Sequence, residues 1–124
     1  MELLNRYAPA VHWLPRLVLA GIFISHGISK FMGPGMFPTP IWQLQGLVEL
    51  SSGIFIIVGA FGREILTRVG GLIIAVIMFG AIAMVHWPRW FFMATEAKPM
   101  GGMELQLLTA TIGIYFLVKG NDVT

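Results

Sequence analysis

Residues 65–87 read ILTRVGGLIIAVIMFGAIAMVHW. A helix needs about 17 to 25 predominantly apolar residues to cross the hydrocarbon core of a bilayer. This stretch meets that length, with Arg68 near its start and His86 near its end. Three further windows share its character, over about 13–31, 41–61 and 103–118. The fourth is slightly short. Antiparallel closure onto longer neighbours makes it viable, because mismatch costs only fractions of a kcal/mol per Å. The expected fold is therefore all-α: an integral membrane, up-down four-helix bundle formed by one domain over residues 1–124.

Composition supports the membrane reading. Of 124 residues, 56% are hydrophobic and only 11% charged, with a mean hydropathy of +0.80. Soluble domains carry roughly a quarter charged residues, and here the few charges cluster between apolar runs. Met1 to His12 do not read as a cleaved leader, so the first span is expected to be retained. The chain has no cysteine, which removes thiol redox chemistry and thiolate metal sites, and no metal site is expected. A formal charge of +2 without a basic run gives no footprint for nucleic acid.

Turn chemistry separates the spans. Gly33-Pro34-Gly35 and Pro38-Thr39-Pro40 divide the first pair, while Pro88 and Pro99-Met100-Gly101-Gly102 divide the last. Gly62-Arg63-Glu64 joins the middle two almost directly, as a tight hairpin. Trp13, Trp42, Trp87 and Trp90 fall near span ends, where aromatic belts sit. Arg6, Arg16, Arg63, Arg68 and Lys119 fall on one side, against Lys30, Arg89 and Lys98 on the other. The positive-inside rule then places both termini in the cytoplasm. Localisation to a bacterial-type inner (plasma) membrane follows. Gly46, Gly53, Gly59, Gly70, Gly71 and Gly80 suit close helix packing in lipid.

Ionisable groups inside spans are expensive, so they face the bundle interior and pair. Here they are His26 and Lys30 on the first helix, Glu49 on the second, His86 on the third and Glu104 on the fourth. In the expected topology all five fall in the outer half. His26 and Lys30, four apart, share a face, and Glu49 lies between Gly46 and Gly53 on a close-packing face. A Glu49–Lys30–His26 cluster with His86 nearby is expected. Gln43, Gln45, Ser51 and Ser52 are expected to bond between helices, and Arg16 to anchor to headgroup phosphates, leaving the inner half apolar.

Arg16, Gly21, Phe23, His26-Gly27 and Lys30 resemble the first-helix signature of the DoxX family. Gly46, Glu49, Gly53 and Gly59 resemble its second-helix pattern, Ala83 and His86 its third, and Glu104 the glutamate that opens its fourth. The resemblance implies a four-helix membrane protein. Through family members associated with a quinol oxidase or a thiosulfate:quinone oxidoreductase, it also implies a subunit linked to quinone/quinol redox chemistry. On this reading His26 or His86 donates to a quinone carbonyl, Glu49 relays a proton, and Lys30 stabilises a developing oxyanion. His26, Lys30, Glu49, His86 and Glu104 are the candidate quinone and proton site.

The alternative is a non-catalytic accessory subunit that packs on a larger respiratory or photosynthetic complex, its polar cluster merely locking the bundle. Partners on either reading are the lipid bilayer and other membrane subunits or self-association. A b-type haem held by His26 and His86 ranks below both, because Lys30 and Glu49 crowd the same region and no second histidine pair exists. A transporter also ranks below them, since an outer cluster gives no continuous path.

Overall fold

The computed structural model describes residues 1–122, and every regular element within them is helical. Two short helices, α1 (Glu2–Asn5) and α2 (Ala8–Val11), lead into α3 (Trp13–Ser29). Then come α4 (Thr39–Gly59), α5 (Glu64–Ala81), a π-helical turn (Ile82–His86) and α6 (Glu104–Lys119). Pro9, Pro15 and Pro40 each stand in the first turn of a helix, where a missing N–H leaves no bond unmade. Gly62, at φ +100°, supplies the left-handed residue in the short turn between α4 and α5. Glu64 then opens α5, its charge complementing the positive end of the helix dipole.

Three segments are long and apolar enough to cross a membrane: Ala8–Ser29, Thr39–Gly59 and Glu64–His86. The first begins five residues before the expected Trp13, because α2 runs almost without a break into α3. α6, at 16 residues, measures about 24 Å at 1.5 Å per residue. That is less than the roughly 30 Å hydrocarbon core.

Each long helix packs on its sequence neighbour, and glycine sets the approach. A methyl added at Gly27 of α3 would lie 2.7 Å from both Gly46 O and Leu50 N of α4, and one at Gly53 would lie 3.1 Å from Ala20 O. A methyl at Gly70 of α5 would meet Ser52 O of α4 at 3.0 Å, and one at Gly113 of α6 would meet Gly71 O of α5 at 2.9 Å. Numbers fall along one helix as they rise along the next, so these neighbours are antiparallel. Gly80, like Gly21 of α3, has nothing within 4 Å of an added methyl. It does not mark a packing seam.

The apolar core of Leu19, Phe23, Ile56, Ile74 and Phe116 surrounds a buried cation. Arg16 is 1% exposed and donates to Ile56 O, to Thr67 Oγ1 at 3.0 Å and to Asn121 Oδ1 at 3.1 Å. Its guanidinium carbon lies 4.7 Å from the Phe116 ring centroid. Asn121 in turn donates to Gly59 O at 2.8 Å. The expected headgroup anchor is therefore an interior clamp, and this end of the molecule is not purely apolar. Arg16 shares the face of Leu19, Ala20, Phe23 and Gly27, the buried stripe of α3, so its fork turns inward onto carbonyl and hydroxyl oxygens.

Candidate functional site

At the opposite end, where the connections 30–38 and 87–103 lie, α3 and α4 contribute opposite charges. Lys30 caps the C-terminus of α3, a position that favours a cation. Its Nζ donates to Glu49 Oε2 at 3.0 Å, with the two side chains only 9% and 5% exposed. Gln45 Nε2 donates to the other oxygen, Glu49 Oε1, at 3.2 Å. The Lys30 ammonium also sits 4.6 Å from the centroid of Trp42, within cation–π range. Glu49 reaches this place because Gly46 and Gly53, on the same face, bring the two backbones together.

α5 delivers His86 by a different device. The π-helical turn closes with Trp87 N donating to Ile82 O at 2.8 Å, and its extra residue rotates the end of the helix relative to α-helical register. His86 is thereby buried, with Nδ1 3.1 Å from Gly101 O. A carbonyl only accepts, so Nδ1 carries the proton and Nε2 is the ring nitrogen left for a ligand. The 87–103 connection is held in place as Met103 N donates to Arg89 O at 2.8 Å and Glu104 N to Trp90 O at 3.1 Å.

These groups line one cavity of about 640 Å³, within the range of small-molecule sites. His26 and Lys30 of α3, Gln45 and Glu49 of α4, His86, and Gln106 and Thr109 of α6 supply its polar wall. Phe23, Phe37, Trp42, Ile77, Met78 and Met84 supply the apolar one. The structure thus pairs Lys30 directly with Glu49, and brings His26 and His86 to the same chamber without bonding either to that pair. Glu104 opens α6 but stands outside the chamber wall.

Other polar residues behave differently from expectation. Ser51 and Ser52 donate to Leu47 O and Glu49 O of their own helix, and Gln45 also bonds within α4. Gln43 is exposed. Short hydroxyls on a helix find the preceding turn before they find a neighbour. Gln106 and Thr109 were absent from the expected site. Their signal was available: they share a face with Ala110, Gly113 and Phe116, so they are polar groups on a buried stripe. Among the described residues no three or more His, Cys, Asp or Glu side chains are grouped to hold a metal ion.

The DoxX family model matches residues 12–87, which contain Lys30, Glu49 and both cavity histidines. A Haemophilus influenzae protein described as uncharacterized is 30% identical over 131 aligned residues, taking in 97% of this chain and 90% of its own length. No solved structure matches.

Proposed function

The chain belongs to the DoxX family, and on that premise we propose that it is a membrane subunit that binds a quinone or quinol in the Lys30–Glu49 cavity. One observation carries the reading. A chamber of about 640 Å³, walled by aromatic and methionine side chains, also holds a buried ion pair and two histidines. A quinone ring suits the apolar wall, and its oxygens suit the polar one.

The proposed setting is a bacterial-type inner membrane crossed four times, with α6 as the short fourth span and both termini cytoplasmic. The lysine and arginine distribution supports that orientation. The cavity then lies in the outer half of the bundle.

A bound quinol supplies two electrons and two protons when it is oxidised. This chain's residues handle the protons and the placement. Lys30 spends one of its three donors on Glu49 and keeps others for a ligand oxygen. The Gly101 bond fixes the His86 tautomer, so neutral His86 accepts a hydrogen bond through Nε2 and takes up a proton there. Donation from His86 Nε2 requires the cationic ring. Glu49, held by Lys30 and Gln45, passes a proton only when the Lys30 contact loosens.

The test is a titration of the purified protein in lipid nanodiscs with short-chain ubiquinone and menaquinone, read by quenching of tryptophan emission, since Trp42 lines the chamber. Saturable quenching that is lost in Trp42→Phe and weakened at least tenfold in Lys30→Met supports the reading. Unsaturable quenching that is equal in all variants refutes it.

The accessory-subunit reading has one observation in its favour. Lys30 and Glu49 satisfy each other inside the protein, as a packing clamp would. It predicts that the same variants lose their partner subunit on purification while quinone binding is absent throughout.

A further inference from the structure

α3 and α6 close on each other at one end only. At the Arg16 end, the Arg16 guanidinium carbon is 4.7 Å from the Phe116 ring centroid, His12 meets the same ring edge-on at 5.3 Å, and Leu19 and Phe116 share the core. Residues seven apart keep to one helix face, so the two facing stripes can be followed toward the chamber. On α3 the step runs from Leu19, 1% exposed, to His26, which is exposed. On α6 it runs from Phe116, 0% exposed, to Thr109, which is also exposed. Both stripes lose their cover in the same direction. His26 and Thr109 nevertheless line the chamber, with exposed Ile22 and Leu105 beside them. The two helices therefore diverge, and the chamber opens through the gap.

The lips of this gap lie at membrane depth. His26 comes three residues before the end of α3 and Thr109 five after the start of α6, about 5–8 Å in from the helix ends at 1.5 Å per residue. Ile22 is deeper still. Thr109 Oγ1 donates to Leu105 O of its own helix at 2.7 Å, so its hydroxyl needs no water. A slot between spans is filled by hydrocarbon, because a void forfeits the dispersion contacts of its lining. We propose that the ligand enters the chamber sideways from the bilayer, between α3 and α6, and leaves its hydrocarbon tail lying in that slot. The proposal rests on the quinone reading of the cavity and narrows it to a long-chain, membrane-resident quinone, with its ring against Lys30 and its tail between Ile22 and Leu105.

Two measurements on the protein in nanodiscs test it. The first compares decylubiquinone with its tail-less parent benzoquinone by quenching of tryptophan emission. A phenyl ring placed in the slot blocks a tail and leaves the Lys30 end free. Thr109→Phe and Ile22→Phe, on opposite lips, therefore each weaken decylubiquinone binding by about tenfold or more and leave the tail-less ring within about twofold. Leu108→Phe, at an exposed position outside the chamber wall, changes neither. Partition into the bilayer is common to all variants and cancels in the ratios. The second measurement places a nitroxide on Thr109→Cys in the otherwise cysteine-free chain. Dissolved oxygen, which concentrates in lipid, reaches the label, and a water-soluble nickel chelate does not. Equal losses for the tailed and tail-less quinones, or no loss for either, overturn the slot and leave quinone binding standing. A label reached by nickel marks a water-filled mouth, and one shielded from both reagents marks a face covered by a second copy; each overturns it as well. If the unaltered protein binds neither quinone, the inference and the quinone reading fail together.

Discussion

The Lys30–Glu49 pair makes an asymmetric prediction. Both side chains are under 10% exposed, and removing one partner from a buried pair costs about 3–5 kcal/mol because it strands the other charge. The stranded groups are not equivalent. After Glu49→Leu, Lys30 still lies at the C-terminus of α3 and over Trp42. The helix dipole and the cation–π contact together return about 1–2 kcal/mol, so the net loss is about 2 kcal/mol. After Lys30→Met, Glu49 keeps only Gln45. The carboxylate is then left in an apolar setting without its cation. The loss there is about 4 kcal/mol. The double variant removes both charges and, with apolar side chains of similar volume, returns close to the starting stability. Reversible unfolding of all four proteins in mixed micelles, analysed as a double-mutant cycle, gives a coupling of at least about 2 kcal/mol with Lys30→Met the worse single change. Additive losses, or Glu49→Leu the worse of the two, would refute the reasoning that the pair is a buried, water-free contact.

Other outcomes follow from the packing. Arg16→Leu leaves the Thr67–Asn121 bond in place but removes the cation that ties it to Ile56 O, and costs about 1–3 kcal/mol; Arg16→Lys recovers little, because one ammonium cannot span three acceptors, and thermal unfolding reads both. Gly27→Ala and Gly113→Ala force the helix pairs apart and cost about 1–3 kcal/mol, whereas Gly80→Ala, with open space around it, is neutral; the same melts compare them. The chain lacks cysteine, so orientation can be read cleanly with single thiols. Met93→Cys, at a position 63% exposed, reacts with a membrane-impermeant maleimide in intact spheroplasts, while Phe61→Cys, at one 76% exposed, reacts only after permeabilisation; the reverse pattern would invert the topology.

What the sequence revealed and what it hid divide along physical lines. Apolar length and proline–glycine punctuation gave the helices, because backbone hydrogen bonds in lipid leave few alternatives. The Lys30–Glu49 meeting was readable from Gly46 and Gly53, since small residues announce where backbones approach. Arg16 was misread. Its position near a span end suggested headgroups, but its fate depended on Thr67 and Asn121, more than fifty residues away. His86 was placed on the right helix, yet its orientation comes from a π-helical turn and a loop carbonyl at Gly101, neither of which has a local signature. Gln106 is legible in the sequence only as a polar group on the stripe of Ala110, Gly113 and Phe116, whereas its place in the chamber wall depends on residues of the other three helices.

The most direct test of the central claim, that the Lys30–Glu49 chamber holds a quinone, is photolabelling of the protein in native-like membranes with an azido-quinone, followed by peptide mapping. The account predicts that label concentrates on the chamber-lining stretches of α3 around His26 and α6 around Gln106, and that excess unmodified quinone displaces it. Label spread evenly over outward-facing positions such as Val18, Val76 and Val118, undiminished by competitor, would contradict it.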